Sequence, residues 1–219
     1  FSSCLFNFFI AFLIPNSRNK QMTITDVQTF YRTSADGGDN PVVMRTKKNK
    51  EKEMDNDKNA AAKVLVAYFS ATGTTARKAE LIAGATRGKI AEIMPEETYS
   101  SADLDWNNPR SRSSSEMKNP ASRPAIKKED IDINGYDVVF LGYPIWWDEA
   151  PRAVNTFIES HSLKGKRVVP FATSGGSTIA NSVRTLKRTY PEIRWNDGKL
   201  LNNADAADVE AWAKSVLHN

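Results

Sequence analysis

The sequence predicts an α/β domain, a three-layer sandwich in which a five-stranded parallel sheet lies between two layers of helices. Short apolar runs alternate along the chain with longer segments that repeat apolar residues at the helical period. The apolar runs lack polar alternation, which is typical of strands buried on both faces of a parallel sheet. The 219 residues, 40% of them hydrophobic, suffice for one such domain with an appended segment.

Five segments have the composition of buried strands. The first begins at Lys63 as "KVLVAYF", the second is "GKIAEIM", and the third begins at Tyr136 as "YDVVFLGYP". "KRVVPFATS" is predicted as the fourth strand, and "EIRWNDGKLLN" as a fifth strand that a turn at 196–198 interrupts. Because crossovers between parallel strands are right-handed, few layouts of these strands are possible.

Four segments repeat apolar residues at spacings of three and four, which predicts amphipathic helices. His161 ends the second stripe near the helix C-terminus, where a cation is favourable, and is interpreted as structural. The stripes are Ala79, Ile82, Ala83 and Thr86; Val154, Phe157, Ile158 and His161; Ile179, Val183, Leu186 and Tyr190; and Val209, Trp212, Ala213 and Val216.

Residues 1–60 differ from residues 61–219, which are predicted as the folded domain. The first 15 residues are apolar but too short to cross a bilayer comfortably as a helix. They resemble the apolar part of a signal peptide without its usual flanks, so a leader, a translated upstream stretch and a retained membrane anchor stay open. The charged run that follows is predicted as a disordered linker. A cytoplasmic location is expected, or a secreted or periplasmic one if residues 1–15 belong to a leader.

The composition excludes several classes of site. Cys4 is the only cysteine, so no internal disulfide can form. The two histidines, His161 and His218, are far apart in sequence, and no metal site is expected. The formal charge of +4 is modest, and no basic stripe with interleaved aromatics is present, so nucleic acid is not an expected partner.

The first loop, Ser70–Thr75, is rich in hydroxyl groups and leads from the first strand into a helix. A helix N-terminus offers unpaired N–H groups and a positive dipole end, which attract an anion. The alternative is ordinary capping of the helix by Thr74 or Thr75. Because one hydroxyl would suffice for capping, the loop is predicted to hold a phosphate monoester through Ser70, Thr72, Gly73, Thr74 and Thr75.

Two further strand ends carry unusual residues. The second loop, Pro144–Trp147, ends in two tryptophans, of which one is expected to face inward and one a flat aromatic ligand; the alternative is that they fill the core or an oligomer interface. The third loop, Thr173–Ser177, contains two glycines whose N–H groups can face a ligand, unless it is merely a capped turn. Phosphate, planar ring and ring-edge acceptors together describe flavin mononucleotide (FMN). The predicted binding residues of these two loops are Pro144, Ile145, Trp146, Trp147, Thr173, Ser174, Gly175, Gly176 and Ser177.

Residues 95–126 form an insert that is too long for a bare connection between two elements. Its aromatic residues, Tyr99 and Trp106, argue against disorder. Two interpretations stay open, namely a flap over a sheet edge and a functional segment. Arg110, Arg112 and Arg123 are interpreted either as contacts to an acidic substrate or partner, or as solvated surface charge.

From Lys63 to Leu217 the sequence resembles the flavodoxin-like family, because "SATGTT", "PIWW" and "TSGG" match the three loops that surround its flavin. The resemblance implies FMN as cofactor and the strand order 2-1-3-4-5. The insert resembles that of a bacterial subgroup of electron carriers and flavin oxidoreductases. The third loop lacks the usual aromatic, for which Tyr99 or Trp106 could substitute. The second loop lacks the glycine at which flavodoxins flip a peptide during one-electron chemistry.

The resemblance implies a redox function, with two principal forms. The first is an FMN-dependent oxidoreductase that takes electrons from NAD(P)H and reduces a small acceptor such as a quinone. The second is a non-enzymatic electron carrier that docks to redox partner proteins. A binding module that has lost its cofactor is a third hypothesis. Because a peptide flip would be strained without glycine, two-electron chemistry is favoured. No catalytic acid or base is assigned.

Overall fold

The computed structural model describes residues 62–128 and 131–218, and the predictions for residues 1–60 lie outside them. Six strands and five α-helices alternate along this part of the chain. The strands are β1 Val64–Tyr68, β2 Lys89–Glu92, β3 Val138–Pro144, β4 Arg167–Thr173, β5 Arg194–Trp195 and β6 Lys199–Leu200. The helices are α1 Thr74–Thr86, α2 Arg112–Lys118, α3 Arg152–Ser160, α4 Ile179–Thr189 and α5 Ala206–His218.

All strand pairs are parallel, and the order is β2-β1-β3-β4-β5, with β6 also paired to β4. The predicted fold and strand order are therefore confirmed. The predicted fifth strand consists of two short strands, because the chain turns at Gly198 with φ +75°. A Cβ at Gly198 would lie 2.6 Å from the carbonyl oxygen of Pro170, so only glycine fits this turn.

The core lies on both faces of the sheet, because successive strand residues point to opposite sides. Leu65, Ala67 and Leu141 pack on one face with α3 residues, while Val66 and Phe140 pack on the other with α1 and α5 residues. Each fully buried aliphatic side chain contributes about 1.5–3 kcal/mol through burial. This two-sided burial explains why the central strands β1, β3 and β4 are almost entirely apolar. The edge strand β2, predicted as buried, leaves Lys89 and Ile90 exposed because it has a neighbour on one side only.

The insert is folded against the domain. A bridge between Pro95 and Ile126 closes it, and its interior contains α2, which begins after Ser111. The Ser111 hydroxyl accepts a hydrogen bond from the Ser114 N–H and so caps this helix. No helix within the described ranges is long and apolar enough to cross a membrane.

Candidate functional site

The three loops meet at the carboxyl edge of the sheet, where β1, β3 and β4 end side by side. A cleft of about 480 Å³ opens there. Its walls come from the second loop, the third loop and the insert. The lining residues are Leu104, Trp106, Ser113, Ile145, Trp146, Trp147, Ser174, Gly175, Gly176 and Ser177.

The first loop is tied to the third loop by a buried hydrogen bond. The hydroxyl oxygens of Thr75 and Thr173 lie 2.8 Å apart, and both residues are almost fully buried. These two predicted residues therefore join the loops and do not line the cleft. The bond places the first loop directly beside the cleft wall.

Apart from Thr75, the first loop makes no side-chain hydrogen bond to the rest of the described chain. Gly73, not Thr74 or Thr75, is the N-cap of α1, with φ +80° and no side-chain cap, so the capping interpretation is wrong. The first turn of α1 has no acidic residue. The buried hydroxyl oxygen of Ser70 has no hydrogen-bond partner among the described residues, while Thr72 and Thr74 are exposed. Uncapped N–H groups and an unpaired buried hydroxyl together form a site that an anion would complete.

The second loop continues into a tight turn at Trp146–Glu149. The N–H of Trp146 donates to the Glu149 carbonyl at 3.0 Å, and the N–H of Glu149 donates to the Trp146 carbonyl at 2.9 Å. Trp147 and Asp148 have φ values of +46° and +61°, the positive pair of a type I′ turn. Without glycine, positive φ is expected to be strained here. Trp147 and Asp148 nevertheless have positive φ, because two reciprocal backbone bonds hold them.

The two tryptophans differ in exposure, as predicted. Trp146 packs edge-on against Phe69 at 5.5 Å and against Tyr99 at 5.3 Å between ring centroids. Trp147 is 48% exposed at the cleft. Trp146 thus forms the inner wall of the cleft, and the exposed ring of Trp147 lies at its opening.

The third loop uses one of its expected donors internally. The Ser174 hydroxyl accepts hydrogen bonds from the Gly176 N–H at 3.1 Å and from the Ser177 N–H at 2.8 Å. The Gly176 N–H is therefore not free to face a ligand, contrary to the expectation. No atom lies within 4 Å of a Cβ built on Gly175 or Gly176, so a flat group can approach the backbone closely there.

The insert supplies part of the cleft that sequence reasoning did not assign as binding residues. Leu104, Trp106 and Ser113 line it, and Trp106 is 72% exposed. Tyr99, the other aromatic proposed as a substitute for the missing third-loop ring, packs into the cluster with Phe69 and Trp146. Of these two aromatic residues, Trp106 is therefore the one that lines the cleft. The functional interpretation of the insert agrees with this arrangement.

Tyr99 belongs to a hydrogen-bonded network that stiffens the insert. Its hydroxyl donates to Glu116 at 2.5 Å, and Glu116 also pairs with Arg112 at 2.8 Å. The Arg112 guanidinium lies 4.2 Å from the Tyr99 ring centroid. Burial, followed by the Glu116 carboxylate, raises the pKa of Tyr99 well above its usual range. The ring thus stays a neutral donor.

The buried Arg152 joins the insert to the second loop. Its guanidinium pairs with Glu149 at 2.9 Å and donates to the Met117 carbonyl at 2.9 Å. Arg123 forms a two-pronged pair with Glu159 at 2.8 Å, while Arg110 is exposed. Arg112 and Arg123 therefore have internal carboxylate partners. Among residues 62–128 and 131–218, no group of three metal-ligating side chains occurs.

A family model of flavodoxin matches residues 63–216. The chain belongs to the flavodoxin family. Among solved structures, the chain is similar to a proposed flavoprotein from Bacteroides eggerthii, with 61% identity, a TM-score of 0.68, and coverage of 71% of this chain and 98% of that one. A second proposed flavoprotein, from Bacteroides uniformis, has 51% identity, a TM-score of 0.68, and coverage of 70% of this chain and 99% of its own.

A more distant flavoprotein shares the fold. The flavoprotein from Lactobacillus acidophilus, solved in complex with FMN, has 22% identity, a TM-score of 0.57, and coverage of 70% of this chain and 99% of its own. No curated protein matches the sequence. The unpaired Ser70 hydroxyl, the uncapped start of α1 and the open third-loop backbone fit a phosphorylated planar cofactor in this flavodoxin.

Proposed function

We propose that this flavodoxin is an FMN-dependent oxidoreductase that reduces a small planar acceptor, such as a quinone, at the expense of NAD(P)H. FMN is the cofactor that the family and the three loops support. The observation that carries the proposal is the cleft with two exposed tryptophans, Trp106 and Trp147, on its walls. An open, aromatic-lined cleft suits a flat small molecule that stacks on rings.

The residues of the chain would divide the binding work. FMN, when bound, supplies the redox chemistry, and the protein positions it and controls access to it. Ser70 and the N–H groups at the start of α1 would hold the phosphate. Trp147 would lie against the ring, and the backbone at Gly175 would approach its polar edge. Trp106 would limit the entry of water from the open side.

The second loop favours two-electron over one-electron chemistry. Rotation of the Trp147–Asp148 peptide would convert the type I′ turn into a type II′ turn, in which the first central residue is usually glycine. Trp147 would then adopt a backbone conformation in which its Cβ is strained. The Asn181 side-chain amide donates to the Asp148 carbonyl at 3.2 Å, which fixes the adjoining Asp148–Glu149 peptide.

Donor and acceptor are both part of the proposal. NAD(P)H would bind directly over the cofactor in the same cleft, alternating with the acceptor. A redox partner protein is the alternative donor or acceptor. The two Bacteroides neighbours support a bacterial origin.

Steady-state kinetics test the proposal. The FMN-saturated protein is expected to oxidise NAD(P)H continuously when a soluble quinone is present. W106A is expected to lower kcat/KM for the quinone about fivefold, since an aromatic stacking contact contributes about 1 kcal/mol beyond its buried area. W147A, at the ring that would lie against the flavin, is expected to raise the Kd for FMN. I90A, which removes an exposed apolar side chain from the edge strand β2, serves as the matched control and should leave kcat/KM unchanged.

Two results would contradict the proposal. Reduction of the protein only by a partner reductase, without turnover of free quinone, would assign it as an electron carrier. A purified protein that shows no flavin absorbance after FMN is added would assign it as a module without cofactor.

A further inference from the structure

Arg77 lies one helical turn beyond the first loop. Its backbone N–H donates to the Gly73 carbonyl at 3.2 Å, which closes the first turn of α1. Long side chains in helices lean toward the N-terminus. A Cβ built on Gly73 would lie 3.8 Å from Nη1 of Arg77, so the guanidinium lies over the first loop.

The Arg77 guanidinium has no partner in the described part of the chain. Arg112, Arg123 and Arg152, in contrast, each pair with a glutamate. The first turn of α1 contains no acidic residue that could balance the charge of Arg77. A cation at a helix N-terminus is repelled by the positive end of the dipole. An anion bound between the guanidinium and the start of the helix would turn this repulsion into attraction on both sides.

The other groups of the first loop are neutral donors. They are the Ser70 hydroxyl, buried and unpaired, the exposed hydroxyls of Thr72 and Thr74, and the uncapped N–H groups of α1. Neutral donors can hold a phosphate, but a guanidinium adds an ionic contribution that depends on the charge of the ligand.

We propose that Arg77 binds the phosphate of FMN and makes this site select phosphorylated flavin over riboflavin. The inference rests on the proposed FMN function of the same loop. A phosphate monoester carries a charge of about −1.5 to −2 at pH 7, whereas riboflavin has no charged group at this position. Arg77 therefore contributes to FMN affinity and contributes nothing to riboflavin affinity.

The test compares two ligands on the cofactor-free, full-length protein. FMN and riboflavin are titrated separately, and binding is followed by quenching of flavin fluorescence at low and at high salt. R77Q is expected to raise the Kd for FMN about tenfold at low salt and to leave the Kd for riboflavin unchanged. R77K should lie between the wild type and R77Q, because lysine keeps the charge without the two-pronged geometry.

R188Q is the matched control, since Arg188 is an exposed residue in the last turn of α4 and its loss changes net charge equally. It should leave both Kd values unchanged. High salt should weaken FMN binding to the wild type more than to R77Q. Far-UV circular dichroism of each variant checks that the fold is intact.

Three outcomes would overturn the inference. FMN affinity that is equal in R77Q and the wild type would exclude a phosphate contact. Equal losses for FMN and riboflavin would show that Arg77 acts on the fold of the loop. A wild-type protein that binds neither flavin would overturn the proposed function as well, and this distinguishes the two failures.

Discussion

At the scale of single residues, the hydroxyl pair of Thr75 and Thr173 is the contact that holds two ligand loops together. Both residues are buried, and their hydroxyl oxygens lie 2.8 Å apart. A buried hydroxyl that loses its partner keeps its full desolvation cost, whereas loss of both partners is nearly neutral. The pair is therefore expected to behave as a unit.

A double-mutant cycle measures this coupling. T75V and T173V are each expected to lower the free energy of unfolding by about 1–2 kcal/mol in urea titrations of the apo protein. The double variant should lose less than the sum of the two. T178V, at an exposed residue without a side-chain cap, is the control and should stay within about 0.5 kcal/mol of the wild type. Strict additivity would show that the two hydroxyls do not cooperate.

The residue types of the site were predictable from the sequence, but their partners were not. Hydroxyls and glycines at strand ends indicated a phosphate loop and a close backbone approach. The hydrogen bond from the Gly176 N–H to the Ser174 hydroxyl depends on the path of the loop, and residue spacing does not specify that path. The same holds for Thr75, whose partner lies 98 positions away in the sequence.

At the scale of elements, the turn at Trp146–Glu149 stores backbone strain. Two consecutive non-glycine residues with positive φ are uncommon, and such conformations cluster at functional sites. The reciprocal hydrogen bonds and the Glu149–Arg152 pair hold the turn in place. The turn is thus maintained by its own backbone bonds and by the Arg152 contact, without the glycine that such a turn usually has.

Asp148 offers a direct measure of this strain. D148G removes the clash of Cβ with the backbone at φ +61°, whereas D148A removes the carboxylate and keeps Cβ. D148G is expected to be more stable than D148A by about 1 kcal/mol, measured as the difference in free energy of unfolding in urea. Equal stability of the two variants would show that the turn is not strained.

The helix α2 was missed in the sequence because it is short and has no apolar stripe. Its stability comes from the Ser111 cap, the Arg112–Glu116 pair and the contact of Arg152 with its last carbonyls. The first two are local signals at spacings of three and four, and could have been found. The third is a tertiary contact. The split of the fifth strand, in contrast, was predictable from the turn residues at 196–198, and the chain turns there at Gly198.

At the scale of the whole molecule, the order of the strands was predictable through the family resemblance. Right-handed crossovers limit the topologies of a parallel sheet but do not select one. The role of the insert was not predictable, since its composition suited both a flap and a functional segment. Its folding onto Trp146 through Tyr99 places it at the cleft, which is a tertiary contact that composition does not specify. Tertiary packing, rather than local pattern, therefore completes the cleft.

The packing of tyrosines predicts how the stability of the whole domain depends on pH. Burial raises the pKa of Tyr143, whose hydroxyl lies 3.1 Å from that of Ser182, to about 12. Burial, assisted by the Glu159 carboxylate, raises the pKa of Tyr190 to about 12, and the pKa of Tyr99 is also raised. In the unfolded chain these groups lose their protons near pH 10. Above that pH the unfolded state binds fewer protons than the folded state, so stability falls as pH rises.

The urea midpoint is therefore expected to be steady from pH 8 to about 9.5 and to decline toward pH 11. Y143F should make the urea midpoint fall less steeply with pH, because phenylalanine lacks the hydroxyl proton of Tyr143. A midpoint that stays constant to pH 11 would show that these tyrosines titrate alike in the folded and unfolded states.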